Sequence, residues 1–373
     1  MPGDPLRILQ LYPKGDFFTG AAVQLHDLAV ALAARGHDVT IATPPGEVWA
    51  ARCRASGLRH LALPMRQPFD PRAAWRLARF IRRQRVQVAH AHKGRARTLA
   101  ILAGLMGGRA LLVLNRGVSF PVTGVRRLGY TSARVHAIVA VCDSIKRGLV
   151  AAGVAGDKIE VVYSGTDLER FHPGVDGAPI RGELGVAPSE ALVTQVGVRS
   201  WRGWTDVVIA MAEVARREPR ARLLFVGVPP PRVSEVAARA AEAGVAGRVL
   251  TLGHRSDVPA ILCASDVVVD ASYAGAGITG SIREALACER PVVATAVEGM
   301  PELVHDGETG RLVPPRDPAA LADAILATLA DPTAAQAMAR AGRKRVEAHF
   351  SLRAKVDALE ALYRRLVARR GRA

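Results

Sequence analysis

Along the first half of the chain, short apolar runs alternate with stretches in which apolar residues recur every three to four positions. LRILQLY reads as a strand. AVQLHDLAVALAARG then places Leu25, Leu28, Ala29 and Leu32 at helical spacing and stops at Gly36, a good helix terminator. HDVTIAT predicts another strand. The spacing over 71–85 predicts a helix with Ala74, Leu77, Ala78 and Ile81 on one face and Arg72, Arg76, Arg79 and Arg83 on the other. VQVAHAH, ALLVLN, AIVAVC and IEVVY follow as short apolar runs between helices or turns. Apolar strands alternating with helices are the pattern of a parallel sheet covered on both faces.

The stretch GTDLERFHPGVDGAPIRGELGVAPSE is rich in Gly, Pro and Asp, lacks a long apolar period and reads as an interdomain connection. A second series then starts: ALVTQVGV, a helix over 205–217, ARLLFVGV, a helix over 233–243, VLTLG, VVVDAS, a helix from Ser281, and PVVATA. The rhythm of the first half returns without sequence repetition. The expected fold is therefore α/β, with two Rossmann-like domains facing a cleft, over 1–172 and 173–350. The remaining 351–373 is expected to form a helix, with Val356, Leu359, Leu362, Tyr363 and Leu366 on one face, that crosses back to pack against the first domain.

A length of 373 residues suits two domains, and 49% hydrophobic with 23% charged residues suits a folded chain. Cys53, Cys142, Cys263 and Cys288 lie far apart with no CxxC pair, which argues against a zinc site or disulfide framework and fits a reducing cytoplasm. The opening MPGDPLRILQLYP reads as a first strand, not a signal peptide, and TLAILAGLMGG is too short to span a bilayer. The net charge of +17 is uneven. Residues 1–172 carry 25 Lys/Arg against 11 Asp/Glu, a net of +14; residues 173–373 carry 26 against 23, a net of +3. This asymmetry points to an acidic partner of the first half, such as a phosphorylated lipid or an anionic membrane surface. Nucleic acid would also match the charge, but the basic residues are not interleaved with aromatic platforms, and aromatics total 5%, so no nucleic-acid partner is expected.

Chemistry enters at three places. The loop KGDFFTGAA joins the first strand to the first helix, where Gly20 lets backbone amides approach a phosphate at a helix N-terminus. It lacks GxGxxG, which argues against a dehydrogenase. His90 and His92 share one strand face, with His92 at the strand's C-terminal end, where open α/β sheets bind ligands. The third place is VVVDASYAGAGITGSIREALACERPVVATAVEGMPELVHDGETGRLVPP.

That segment, with Glu284 in REALACERPVVAT, then EGMPELV and DGETGRLVPP, resembles the signature of the family 4 glycosyltransferases over about 50 residues. The resemblance extends to GAAVQLHDLAVALAARGHDV, VQVAHAH, VYSGTDLERFHP and GVRSWRGWTDVVIAMA. It implies the GT-B fold and transfer of a sugar, with retention, from a nucleoside-diphosphate sugar. UDP or GDP is the expected nucleotide, with no metal and no further cofactor. By the resemblance, Glu284 accepts hydrogen bonds from the ribose hydroxyls, and the amides of Thr279, Gly280 and Ser281 meet the diphosphate. Arg199 and Arg202 resemble the family's basic pair, at a spacing two residues shorter, and would neutralise the leaving diphosphate. Gly253, His254 and Arg255 fall where the base is held, and His92 at the reacting end of the first domain. The expected acceptor is a cell-envelope glycan or a lipid-linked acceptor, handled in the cytoplasm or at the inner face of the membrane.

Two positions depart from the family. Counting back from Glu284, the first signature carboxylate, which the family uses on the donor sugar, falls on Ala276. Arg116 stands where the family often has His, as a phosphate ligand that cannot act as a base. Asp270 or Tyr273 is the expected substitute for the missing carboxylate. The alternative to an active transferase is a nucleotide-sugar-binding protein of the same fold that has lost turnover. In either case nucleotide and nucleotide sugar are expected to bind within a factor of about ten of each other.

Overall fold

The computed structural model describes residues 4–15, 20–67, 69–275 and 277–371. The chain divides into two compact units, Met1–Gly165 with Leu352–Ala373, and Thr166–Ser351. Thirteen strands build two sheets. In the first unit these are β1 (Arg7–Leu11), β2 (Asp38–Thr43), β3 (Arg59–Ala62), β4 (Val88–His92), β5 (Leu111–Arg116), β6 (Val135–Ala140) and β7 (Ile159–Val161). In the second they are β8 (Ala191–Val196), β9 (Ala221–Val226), β10 (Val249–Leu252), β11 (Val267–Asp270), β12 (Val292–Thr295) and β13 (Arg311–Val313). The sheet orders are β3-β2-β1-β4-β5-β6-β7 and β10-β9-β8-β11-β12-β13, and every pairing is parallel. Both therefore follow the doubly wound order, which reverses between β1 and β4 in one unit and between β8 and β11 in the other.

The strands form where unbroken β-branched and aliphatic runs are buried on both faces: VVVD and VVAT are buried at every position. The helix Pro71–Arg83 starts behind an N-cap, Asp70, whose side chain accepts the Ala73 amide at 2.9 Å. It buries Ala73, Ala74, Leu77, Ala78 and Ile81 as the spacing predicts and ends two residues before the expected 85.

The boundary expected after 172 falls after Gly165 instead. The reason is local bonding. The Thr166 amide donates to the Phe350 carbonyl at 2.7 Å, Phe171 is buried, and the His172 carbonyl meets Cys263 Sγ at 3.6 Å, all within the second unit. The stretch read as a connection also carries a helix, Ala178–Leu184, whose Ile180 joins Val186, Leu192 and Ile261 in a core. Seven residues are too few to show a helical period in sequence.

The last helix, Leu352–Gly371, belongs to the first unit. Its Val356, Leu359, Leu362, Tyr363 and Leu366 are all buried in one cluster with Leu25, Leu28 and Leu32 of the helix Gly20–Ala34. Each such burial contributes roughly 1.5–3 kcal/mol toward holding the helix in place. Arg35 fastens its outer face, bonding Asp357 at 2.5 Å and Glu360 at 2.9 Å.

Candidate functional site

In the second unit the strand order reverses between β8 and β11, and the chain leaving both strands is packed tightly there. Gly203 has a left-handed φ of 59°, and a Cβ on it would overlap the Ala271 carbonyl, so only glycine allows this approach. The fully buried Gln195 links the two strand ends, its Nε2 donating to the carbonyls of Gly197 and Arg202, both at 3.2 Å, and its Oε1 accepting the Ala271 amide at 3.4 Å.

Onto this frame folds Arg202, the last residue of the short 3-10 turn Ser200–Arg202. Its Nη1 lies 2.9 Å from Oδ2 of Asp270, a fully buried carboxylate at the end of β11. Its Nη2 donates to the Val196 carbonyl at 2.6 Å and to Ser281 Oγ at 3.2 Å. A guanidinium has five N–H donors. These contacts hold the guanidinium in place, with its Nε 3.5 Å from where a Gly197 Cβ would stand. Asp270 therefore holds Arg202 rather than substituting for the carboxylate missing at 276.

Ser281 brings in the helix Gly280–Ala287. Its N-cap, Thr279, is buried and makes no side-chain cap bond, and the Thr279 hydroxyl has no partner. The helix thus presents uncapped amides and its positive end. Glu284 sits one turn in and folds back: its Oε1 lies 3.4 Å from where a Gly280 Cβ would stand. Beside it Arg283 is buried, its Nε donating to Thr166 Oγ1 at 3.1 Å. Burial pushes the Arg283 pKa down, and only the neighbouring Glu284 charge works against that shift. Sequence reasoning singled out Glu284 and passed over Arg283, which precedes it in the same motif.

The loop entering this helix is clamped by Glu298, also passed over. Its Oε1 accepts the Gly275 amide and its Oε2 the Gly277 amide, each at 2.7 Å. Glu298 itself has a left-handed φ of 54°, a conformation that costs a residue with a side chain about 1–3 kcal/mol. Ala276 lies outside the described residues, as do Asp16–Thr19 of the first loop. Tyr273 donates its amide to Trp201 at 3.0 Å, and Arg316 lies 4.3 Å over its ring.

The side chains of the other expected residues make contacts of their own. Arg199 is exposed and lies over the Trp201 ring at 5.6 Å. Arg255 is held by Glu183 at 2.6 Å and by Asp257 at 2.6 Å, so its charge is already matched. Gly253 and His254 are exposed, and the Gly253 carbonyl accepts the Gly227 amide at 3.1 Å.

The first unit's reversal lies between β1 and β4, and His92 stands at its C-terminal end as expected. It is buried, with Nε2 2.9 Å from Gln10 Oε1. The His90 and His92 rings lie 4.4 Å apart, and His90 Nδ1 is 2.6 Å from the Tyr363 hydroxyl. Burial drives His90 down to about 3 and His92 well below the ordinary range, so both are neutral at pH 7. Arg116 at the end of β5 bonds the Tyr130 hydroxyl at 3.2 Å and the Phe120 carbonyl. Gly20 opens its helix exposed, with open space where a Cβ would be. Among the described residues, no three His, Cys, Asp or Glu side chains form a group able to hold a metal. No described helix is long and apolar enough to cross a membrane.

Two doubly wound α/β units, each with its strand order reversing once, are the architecture called GT-B. Comparison with known proteins agrees. Residues 18–170 match the family described as glycosyltransferase family 4, and residues 191–331 match glycosyl transferases group 1. The chain belongs to the family 4 glycosyltransferases. D-inositol 3-phosphate glycosyltransferase of Segniliparus rotundus is 38% identical over 216 residues, 56% of this chain and 47% of that protein. The chain spans about half the length of the curated relatives it matches. A glycosyltransferase from Rickettsia africae has the same fold, with a TM-score of 0.88 at 21% identity over 98% of this chain and 99% of that one. So does Anabaena HepE, solved with UDP and glucose, with a TM-score of 0.84 at 20% identity over 96% and 99%.

Proposed function

We propose that the protein transfers a sugar from a nucleoside-diphosphate sugar to an acceptor hydroxyl. The observation that carries this reading is the joining of Arg202, buried Asp270 and Ser281 at the uncapped end of the Glu284 helix. In the reaction the bond from the anomeric carbon to the phosphate oxygen breaks and a bond to the acceptor oxygen forms. Charge builds on the departing diphosphate, which the remaining Arg202 donors and the amides of 279–281 would meet without a metal. Glu284 accepts the ribose hydroxyls, and Arg283 adds positive potential beside them. Retention of configuration is proposed on family membership alone. UDP or GDP is the proposed nucleotide, and HepE, solved with UDP-glucose, supports the first.

The acceptor is proposed to be a glycan or lipid-linked molecule served by the basic first unit. The curated relatives are named for a phosphorylated acceptor, which suits that charge. The exposed arginines of the helix Pro71–Arg83 are proposed to meet an anionic membrane surface. The second reading, a binding protein without turnover, is favoured by Ala276. A thermal-shift panel of UDP, GDP, ADP and TDP with their common sugars, followed by hydrolysis and transfer assays, separates the two. Stabilisation with turnover supports a transferase, stabilisation without any turnover across an acceptor panel supports the binder, and no stabilisation refutes both.

A further inference from the structure

The fold of the second unit brings Cys263 and Cys288 together. Cys263 lies near the end of the helix Val258–Ala264, and Cys288 caps the C-terminal end of the helix Gly280–Ala287. The Arg290 side chain ties the two segments, its Nε donating to the Cys288 carbonyl at 3.2 Å and its Nη1 to the Cys263 carbonyl at 3.4 Å. The two thiols are in hydrogen-bond contact, and Cys263 Sγ also lies 3.6 Å from the His172 carbonyl. Exposure divides the pair: Cys263 is partly exposed, while Cys288 is fully buried. A small oxidant therefore reaches Cys263 first. The Cys288 thiol, the Arg290 charge and the Val175 amide favour the Cys263 thiolate and hold its pKa below the ordinary thiol value. The contact with Cys263 and burial push Cys288 up, so its thiol stays protonated. Cys53 and Cys142 are both buried, and burial pushes Cys53 up to about 11.

We propose that Cys263 and Cys288 are a redox site, at which hydrogen peroxide closes a reversible disulfide across the C-terminal end of the Glu284 helix. The Cys263 thiolate attacks one peroxide oxygen. The O–O bond breaks, a sulfenic acid forms, and the departing hydroxide takes up the proton that the thiol released. The Cys288 sulfur then attacks the Cys263 sulfur. The S–O bond breaks, the S–S bond forms, and the hydroxyl leaves with the Cys288 proton as water. Both sulfurs are oxidised, one peroxide is reduced to two waters, and a dithiol reopens the bond by exchange. The two cysteines sit at the opposite end of that helix from Thr279 and Ser281, so the redox site does not depend on the glycosyl-transfer reading.

Brief treatment of the native chain with a small excess of hydrogen peroxide, then unfolding, alkylation and peptide mass mapping, tests it. The mass should fall by about 2 Da, located to a cross-linked pair of peptides holding Cys263 and Cys288. Cys53 and Cys142 should remain alkylatable, and dithiothreitol should restore alkylation at Cys263 and Cys288. In Cys288→Ala the sulfenic acid has no partner, so Cys263 should advance to a sulfinic acid that dithiothreitol does not reverse. In Cys263→Ala, Cys288 should stay reduced over the same exposure. Sulfinic acid on Cys263 of the native chain without the cross-link, oxidation spread evenly over the cysteines, or no thiol loss at all would each overturn the assignment.

Discussion

At the first unit's switch point two imidazole rings lie 4.4 Å apart, buried and neutral, bonded to Gln10 and to the Tyr363 hydroxyl. At the second unit's switch point a guanidinium and a fully buried carboxylate face each other at 2.9 Å beside an uncapped helix end. The strand order around both is the same. The difference shows that the doubly wound order fixes where polar side chains converge, at the ends of the central strands, and leaves their charge open. One site is neutral, and burial keeps it so. The other pairs a guanidinium with a buried carboxylate. The surfaces differ more locally. Exposed arginines pair with acids in both units, as Arg54 with Glu47 and Arg147 with Asp143 in the first and Arg216 with Glu213 in the second. In the first, the helix Pro71–Arg83 shows Arg72, Arg76, Arg79, Arg82 and Arg83 with no ion pair among the described residues.

The largest expected effect tests the ionic site. Arg202→Ala leaves Asp270 buried without its partner, which should destabilise the second unit by about 3–5 kcal/mol. Urea unfolding reads this loss. Replacing both by apolar residues, Arg202→Met with Asp270→Leu, should recover much of the stability while nucleoside-diphosphate binding stays lost. A single Arg202→Ala variant as stable as the native chain would show that the pair does not hold the two strand ends together.

Glu284→Ala comes next. It removes an acceptor proposed to serve the ribose, common to nucleotide and nucleotide sugar. Both should weaken together by roughly 1.5–3 kcal/mol, the range for hydrogen bonds to charged groups. Calorimetry that finds only one of the two weakened would move Glu284 away from the ribose.

Much of this was legible in the sequence because it depends on local pattern. VVVD, VVAT and VAHAH announce buried parallel strands, and Glu284 stands in REALACERPVVAT, which resembles the family signature even without the first carboxylate. What was not legible depends on approach between segments distant in sequence. Nothing around Glu298 tells that its carboxylate reaches back 21 and 23 residues to two glycine amides. Arg199 and Arg202 look alike as a pair, and only folding shows one bonded to Asp270 and the other stacked outside on Trp201. Arg255 looked available until Glu183 and Asp257 closed on it. The helix Ala178–Leu184 was hidden by its shortness and its Gly and Pro content.

The neutral site gives a pH prediction with a definite sign. His90 and His92 have folded pKa values far below the ordinary 6.5, so below pH 6.5 the unfolded chain takes up protons that the folded chain refuses. Stability is therefore full above about pH 6.5 and falls as pH drops toward 3, by up to about 1.4 kcal/mol per pH unit for each group. Urea midpoints at pH 7, 6 and 5 should decline in that order. His90→Gln should flatten the decline, and a native midpoint that holds constant from 7 to 5 would show that the pair is not kept neutral by burial.

The smallest effect per residue concerns the unpaired surface of the first unit. On the helix Pro71–Arg83 the arginines flank Trp75, which is 50% exposed and lies 5.4 Å from the Arg79 guanidinium; Phe69, 69% exposed, stands just before the helix. An aromatic ring with cations on either side suits an interface that is apolar below and anionic above. Each arginine near an anionic leaflet is expected to contribute on the order of 1 kcal/mol, and salt screens that contribution within about 10 Å at 0.1 M. The chain should therefore sediment with vesicles containing anionic phospholipid at low salt, release at high salt, and bind neutral vesicles weakly in both. Replacing Arg72, Arg76 and Arg79 by Gln should cut the anionic binding stepwise and leave nucleotide affinity unchanged, because none of the three touches the second switch point. Equal binding to neutral and anionic vesicles would leave Trp75 and Phe69 as the whole of the attraction, and the contrast in charge between the two units would then need another partner to explain it.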